Sequence, residues 1–235
     1  MAIGFVVVVA ATGLLGVLAI ALAHINPRMH LITRVMRLWG RIVLLFGAVR
    51  VSVTGSERLD PDGSYMLVSN HQSAIDPPLH IAKLPVSIRF LAKKELFKFP
   101  IFGSAMRAVG MVETDRSAHA SAHRAINEQV ARVMGMEKSL IIYPEGTRTR
   151  DGEMKPFKKG AFRIAVDNGL PIVPLTLHGA FHVWPPGSKI CLGGRVTLVI
   201  HEPIPTEGLG REDLEDLRDR VWNQIAAGLE ELPTN

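Results

Sequence analysis

The stretch that most constrains this chain is its opening, Ala2 to Ala23 (AIGFVVVVAATGLLGVLAIALA), 22 residues without a charge. About 20 apolar residues suffice for a helix to cross the hydrocarbon core of a bilayer, and a helix satisfies its own backbone there. A cleaved secretory leader is the rival reading, because Ala21–Ala23 imitates a cleavage site. A leader, however, begins with a basic segment and has a shorter apolar run, roughly 7–15 residues. A retained anchoring helix over about 2–23 is therefore expected. Arg28, Arg34, Arg37, Arg41 and Arg50 all lie on its C-terminal side, so the positive-inside tendency puts the remainder in the cytoplasm.

The next segment, HLITRVMRLWGRIVLLFGAV, sets Arg34, Arg37 and Arg41 three and four apart on one helical face, with Leu31, Val35, Leu38, Trp39, Ile42 and Leu45 around them. Over about 30–48 this predicts an interfacial helix, with Trp39 at headgroup depth and the arginines snorkelling. An ordinary surface helix packed on the domain has the same pattern, and a two-helix hairpin dipping into one leaflet also fits both segments.

Charge supports a lipid surface over a nucleic acid. The chain has 27 bases and 22 acids in 235 residues, and the first 50 residues hold five of the bases and none of the acids. Beyond residue 50 the charges balance. A nucleic-acid binder would concentrate its excess on the folded domain, whereas here it borders the apolar segment. The 47% hydrophobic content is high for a soluble globule, and a single cysteine, Cys191, excludes an internal disulfide framework.

Residues 51–235 read as one domain. RVSVTG, YMLVS, IRFLA, LIIYP, PIVPLTL and RVTLVIH are strand candidates. Helices are expected after Pro77 and over about 98–109, 117–136, 158–168 and 211–232. Such alternation predicts an α/β fold with a largely parallel or mixed sheet, whose functional residues sit on loops at strand ends.

Two such loops carry candidate chemistry. In NHQSAIDPP, His71 and Asp76 stand five apart. From spacing alone the leading reading of Asp76 is an N-cap before Pro77, and one carboxylate can both cap a helix and orient a histidine. In LIIYPEGTRTRDG, Gly146 lets backbone amides approach a ligand, Thr147 adds a hydroxyl, and Arg148 adds a planar fork suited to phosphate. A polar turn with solvated arginines is the plain alternative. Between the loops, FLAKKELFKFPIFGSAMRAVGMVETDR mixes Lys93, Lys94, Lys98, Arg107 and Arg116 with Phe97, Phe99, Phe102 and Met106. A core helix with solvated lysines explains it, and so does a site for an amphiphile with an acidic head.

Four blocks in order, NHQSAID, AKKELFKFPIFG through GMVETDR, YPEGTR and PIVPLTLHG, span about residues 65–180. Together they resemble the 1-acyl-sn-glycerol-3-phosphate acyltransferase family of glycerolipid synthesis. The resemblance implies a central mixed sheet flanked by helices over 51–235, behind the anchoring segment 1–50. It implies His71 as general base on the sn-2 hydroxyl, oriented by Asp76, with direct attack on an acyl thioester. Lys93, Arg116, Glu145, Gly146, Thr147 and Arg148 would form the acceptor site, Arg116 and Arg148 on the phosphate and Lys93 on phosphate or oxyanion, with Lys94 as its register rival. Pro174 would be structural or acyl-lining. No cofactor or metal is implied. The donor would be acyl-CoA or acyl-carrier protein, and the setting a bacterial-type inner or cytoplasmic membrane with the catalytic domain facing the cytoplasm. The closest rival is a sibling enzyme using another lyso-acceptor, a lysophospholipid or lyso-amino-lipid, which these blocks separate poorly.

Other classes fit less well. A serine hydrolase through Ser73 lacks a GxSxG elbow. The pairs His119/His123 and His178/His182 have i,i+4 spacing but not the glutamate of HExxH, so packing or surface histidines are expected. A non-enzymatic lipid-binding protein explains the anchor but leaves the four ordered blocks unexplained.

Overall fold

The computed structural model describes residues 2–114, 120–188 and 190–232. In chain order the elements are α1 (Ala2–Ile25), α2 (His30–Phe46), β1 (Val49–Thr54), β2 (Met66–Ser69), α3 (Asp76–Lys83), β3 (Ile88–Lys93), α4 (Phe102–Ala108), β4 (Val112–Thr114), α5 (Ala120–Met134), β5 (Ser139–Ile142), α6 (Gly160–Asp167), β6 (Ile172–His178), the single turn α7 (Ala180–Val183), β7 (Gly194–Ile200) and α8 (Leu214–Glu230). Among the described residues the strands form one sheet in the order β1-β7-β6-β2-β5-β3-β4. Each named pair is parallel except β6–β7, which makes the α/β sheet mixed.

Period-two alternation sorts strand side chains onto two faces. Leu67, Phe90, Ile141 and Val173 enter one core, which holds Leu79 and Ile81 of α3 and Val43 and Leu44 of α2. Met66, Val68, Leu91, Leu140 and Ile172 enter the other, with Phe162 of α6 and Leu217, Val221 and Ile225 of α8. Pro174 sits in an interior strand without disrupting it. Its carbonyl accepts the His201 amide, so its missing N–H also points to the β7 side, where the β6–β7 ladder has already ended at the Leu175–Ile200 pair.

The two N-terminal helices pack onto the domain. α1 is a 24-residue helix, about 36 Å long at 1.5 Å per residue, and within Ile3–Ile25 it is long and apolar enough to cross a membrane, with mean hydropathy 2.7. Ile3, Phe5, Val6, Val9, Leu14 and Val17 are exposed, while Ala19 and Leu22 pack against Ile32 and Val35 of α2 and Val109 beyond α4. Gly16 brings α1 close to α4: a Cβ there would meet Ile101 at 3.3 Å.

On α2, Leu31, Arg34, Leu38, Arg41 and Leu45 share the exposed stripe. Two details depart from the interfacial pattern. Trp39 turns inward, its indole N–H donating to Thr12 Oγ1 at 3.0 Å. Arg37 reaches the turn that follows α3, donating from Nη2 to the carbonyl of Leu84, the C-cap (3.0 Å), and to that of Pro85 beyond it (2.6 Å).

The helix expected over 98–109 is shorter. A 3-10 turn, Lys94–Lys98, precedes it, and α4 starts only at Phe102. Pro100 and the left-handed Ile101 (φ 59°) separate the two. β4, absent from the sequence expectations, is three residues long and forms the sheet edge on Leu91–Lys93.

Candidate active site

The loops after β2, β5 and β3 emerge from the carboxyl ends of three neighbouring parallel strands, where ligand sites of open α/β sheets collect. Asn70 fixes the exit of β2. Its side chain donates to Leu177 O and accepts from Leu177 N, both at 2.8 Å, so a buried amide continues the ladder to β6 after the strand has ended.

His71 Nδ1 lies 2.8 Å from Asp76 Oδ2. The same oxygen accepts the amides of Gln72 and Ser73, each at 2.8 Å. The carboxylate is wholly buried; three N–H donors converge on Oδ2 and offset part of its desolvation, while Oδ1 has no partner among the described residues. The N-cap expected of Asp76 is not what forms: the helix begins with Asp76 itself, and no side chain caps it. The prolines explain why. Of the first four amides of α3, Pro77 and Pro78 have none, Leu79 donates to Ile75 O and Asp76 to Ser73 O. The carboxylate is thereby free to turn back onto the loop and His71. With Nδ1 occupied, Nε2 is the imidazole's open nitrogen, and the side chain, 18% exposed, lines a cavity.

That cavity has a volume of about 750 Å³. Gly146, Thr147 and Arg148 share its wall with His71, as does Lys93, the last residue of β3, whose Nζ is 3.6 Å from Glu95 Oε1. Lys94, the register rival, does not line it. Much of the remaining wall is apolar and comes from four helices, with Leu15 and Ala19 of α1, Val35 and Trp39 of α2, Ile81 of α3, and Phe102 and Met106 of α4; Phe90 and Ala92 of β3 and Tyr143 complete it. The long apolar helix α1 is therefore part of the cavity.

Glu145 does not line the cavity. It is buried, with Oε1 accepting the His71 amide at 2.7 Å and Oε2 the Lys155 amide at 3.0 Å. Burial raises its pKa, the two amides opposing. Its geometry is that of a brace between the β2 and β5 loops, reinforced by Thr149 N donating to His71 O at 3.1 Å. The sequence reading expected it in the acceptor site; here both of its oxygens are committed to loop amides. Gly146 adopts φ 78°, the left-handed region that glycine tolerates. Arg116 lies outside the described residues, as does His119, and nothing is described of the His123 side chain. Ser73 is not placed as a nucleophile, because its hydroxyl donates to Trp184 O at 2.8 Å.

Two residues escaped the sequence reading. Tyr143 stacks on His71, with ring centroids 4.0 Å apart and planes 11° from parallel; the signal was the aromatic residue preceding PEGTR. Lys158 places Nζ 2.9 Å from where a Cβ on Gly146 would stand, so a cation overlies the glycine loop. Its neighbour Lys159 is instead paired with Glu215. The signal was the lysine pair in PFKKG.

A family profile described as Acyltransferase matches residues 50–178. The 1-acyl-sn-glycerol-3-phosphate acyltransferase alpha of Ovis aries is 31% identical over 221 residues, 94% of this chain and 77% of the relative. The chloroplastic 1-acyl-sn-glycerol-3-phosphate acyltransferase BAT2 of Brassica napus is 36% identical over 200 residues, 83% of this chain and 55% of the relative. The crystal structure of the 1-acyl-sn-glycerophosphate acyltransferase PlsC from Thermotoga maritima superposes with a TM-score of 0.84 at 28% identity, covering 99% of this chain and 94% of that one.

Proposed function

The chain belongs to the 1-acyl-sn-glycerol-3-phosphate acyltransferase family, and from that premise we propose that it transfers a fatty acyl group from a thioester to the sn-2 hydroxyl of 1-acyl-sn-glycerol-3-phosphate, giving phosphatidic acid for phospholipid synthesis. The observation that carries this reading is the His71–Asp76 pair opening onto the same cavity as Gly146, Thr147 and Arg148.

His71 Nε2 takes the proton of the acceptor hydroxyl while Asp76 holds Nδ1–H and stabilises the imidazolium. The hydroxyl oxygen bonds to the thioester carbonyl carbon, the C–S bond breaks, and the departing thiolate takes the proton from His71. A thioester is already activated, so a base and correct placement of the two substrates supply what the reaction needs. Arg148 and Arg116 bind the acceptor phosphate as planar forks. Lys93 adds a charge for phosphate or for the developing oxyanion, and the apolar wall accepts acyl chain. α1 holds the enzyme at the cytoplasmic face of a membrane, and its share in the cavity wall gives a lipid substrate a short path from bilayer to base.

The test is an acceptor panel on the purified full-length protein in detergent, with acyl-CoA and acyl-carrier-protein donors supplied separately. Phosphatidic acid formed from lysophosphatidate is the expected product. Turnover of a phosphate-free lyso-acceptor with none of lysophosphatidate would redirect the substrate assignment to a sibling enzyme.

A further inference from the structure

α3 touches the catalytic imidazole by two routes. Asp76, in its first turn, holds the edge of the His71 ring through Nδ1. One helical turn later, His80 lies on the same side of the helix and is fully buried. Its Nδ1 is hydrogen-bonded to the Tyr143 hydroxyl at 3.0 Å, and Tyr143 lies flat on the His71 ring. The pair therefore links α3, through the residue that precedes the glycine loop, to the face of the base.

We propose that His80 and Tyr143 are positioning residues for His71: the buried imidazole holds the phenol, and the phenol fixes the plane of the base while Asp76 fixes its edge. A stack nearly parallel at 4.0 Å limits rotation about the terminal ring torsion, a soft coordinate that a single edge hydrogen bond leaves loose. His80 suits the part because it stays uncharged. Burial, then the neighbouring His71, push its pKa down to about 3, with the Asp76 backbone opposing. A neutral ring can hold the hydroxyl across the working pH range without adding charge behind the base. Its Nε2 is buried with no partner among the described residues, so the polar contacts of the ring are the Tyr143 hydroxyl at Nδ1 and the Asp76 backbone one turn back.

The inference rests on the base assignment made above, and a double-mutant cycle tests it: Tyr143→Phe, His80→Leu and the pair together, in the full-length protein, reading kcat, both KM values and thermal stability. Tyr143→Phe keeps an aromatic face and frees it from His80. Its kcat is expected to fall by roughly 10- to 100-fold with both KM values near wild type. The double variant should be no slower than either single one, because the two residues act as one unit. It should also be more stable than His80→Leu, since both polar partners are then gone. Wild-type kcat in Tyr143→Phe overturns the proposal, as do multiplying losses in the double variant or losses that merely track the unfolded fraction. Should His80→Leu fail to fold, Tyr143→Phe, which removes one oxygen atom, decides alone. Retained turnover in His71→Ala sinks the base assignment itself; an inactive His71→Ala beside a fully active Tyr143→Phe sinks only the positioning.

Discussion

Glu145 Oε1 accepts the backbone amide of His71 at 2.7 Å, so the loop that carries His71 is tied to the loop that carries Gly146, Thr147 and Arg148. The second oxygen is committed to Lys155. In Glu145→Gln one of the two amides loses its acceptor, because a carboxamide presents a single oxygen. An unpaired buried donor costs about 1–3 kcal/mol. A lowered melting temperature is expected together with a kcat/KM loss of at least about tenfold, measured by thermal unfolding and steady-state kinetics on the same sample. Unchanged stability with a rise in KM alone would return Glu145 to the acceptor site.

Arg148 should behave differently, since it is exposed at the cavity and has no bracing role among the described residues. Arg148→Ala is expected to raise KM for lysophosphatidate by about tenfold or more, the scale of one charge-assisted bond, with stability preserved. Against an acceptor lacking the phosphate the effect should vanish, which kinetics on the two acceptors would show.

Gly40 marks where α2 crosses α3, the helix that supplies Asp76. A Cβ at this position would stand 2.6 Å from Pro78 O and 3.1 Å from Ala82 Cβ. Gly→Ala in a helix interior ordinarily gains up to about 1 kcal/mol. Here the gain is expected to be outweighed, with Gly40→Ala less stable and slower than wild type. A higher melting temperature at full activity would show that α2 can back away from α3 freely.

Stability should also depend on pH through His80. Its pKa is about 3 in the fold against an ordinary 6.5. Between these values the unfolded chain binds a proton that the native protein refuses, so this group's contribution falls as pH falls, at no more than roughly 1.4 kcal/mol per unit. Melting temperature measured from pH 7 down to pH 4 should therefore drop more steeply in wild type than in the Tyr143→Phe/His80→Leu variant. Parallel curves would mean that His80 titrates normally.

Much of this was legible in the sequence, for identifiable reasons. The strands of the central sheet announce themselves through apolar runs such as LIIYP and PIVPLTL. His71, Gly146 and Arg148 stand out because they follow such runs directly. β4 did not, because Val112–Thr114 has one apolar residue and is a strand only through pairing with β3. The Asp76 carboxylate looked like a cap because DPP suits a helix start; only the fold shows that Leu79 N is taken by Ile75 O and that the carboxylate turns back onto the loop. Glu145 looked like a ligand residue because sequence cannot show which way a carboxylate turns at a strand end. His80 and Tyr143 are 63 positions apart and meet only through the parallel pairing of β2 with β5. Nor could helical periodicity reveal that Trp39 reaches Thr12, since that contact depends on where α1 lies.

The most direct measurement is the rate of acyl transfer to lysophosphatidate by His71→Ala, on protein shown by circular dichroism and thermal unfolding to be folded. With the base gone and Asp76, the glycine loop and the cavity intact, the expected result is a kcat lower by about 10²–10⁴-fold. Transfer at the wild-type rate by the folded variant would contradict His71 as the base.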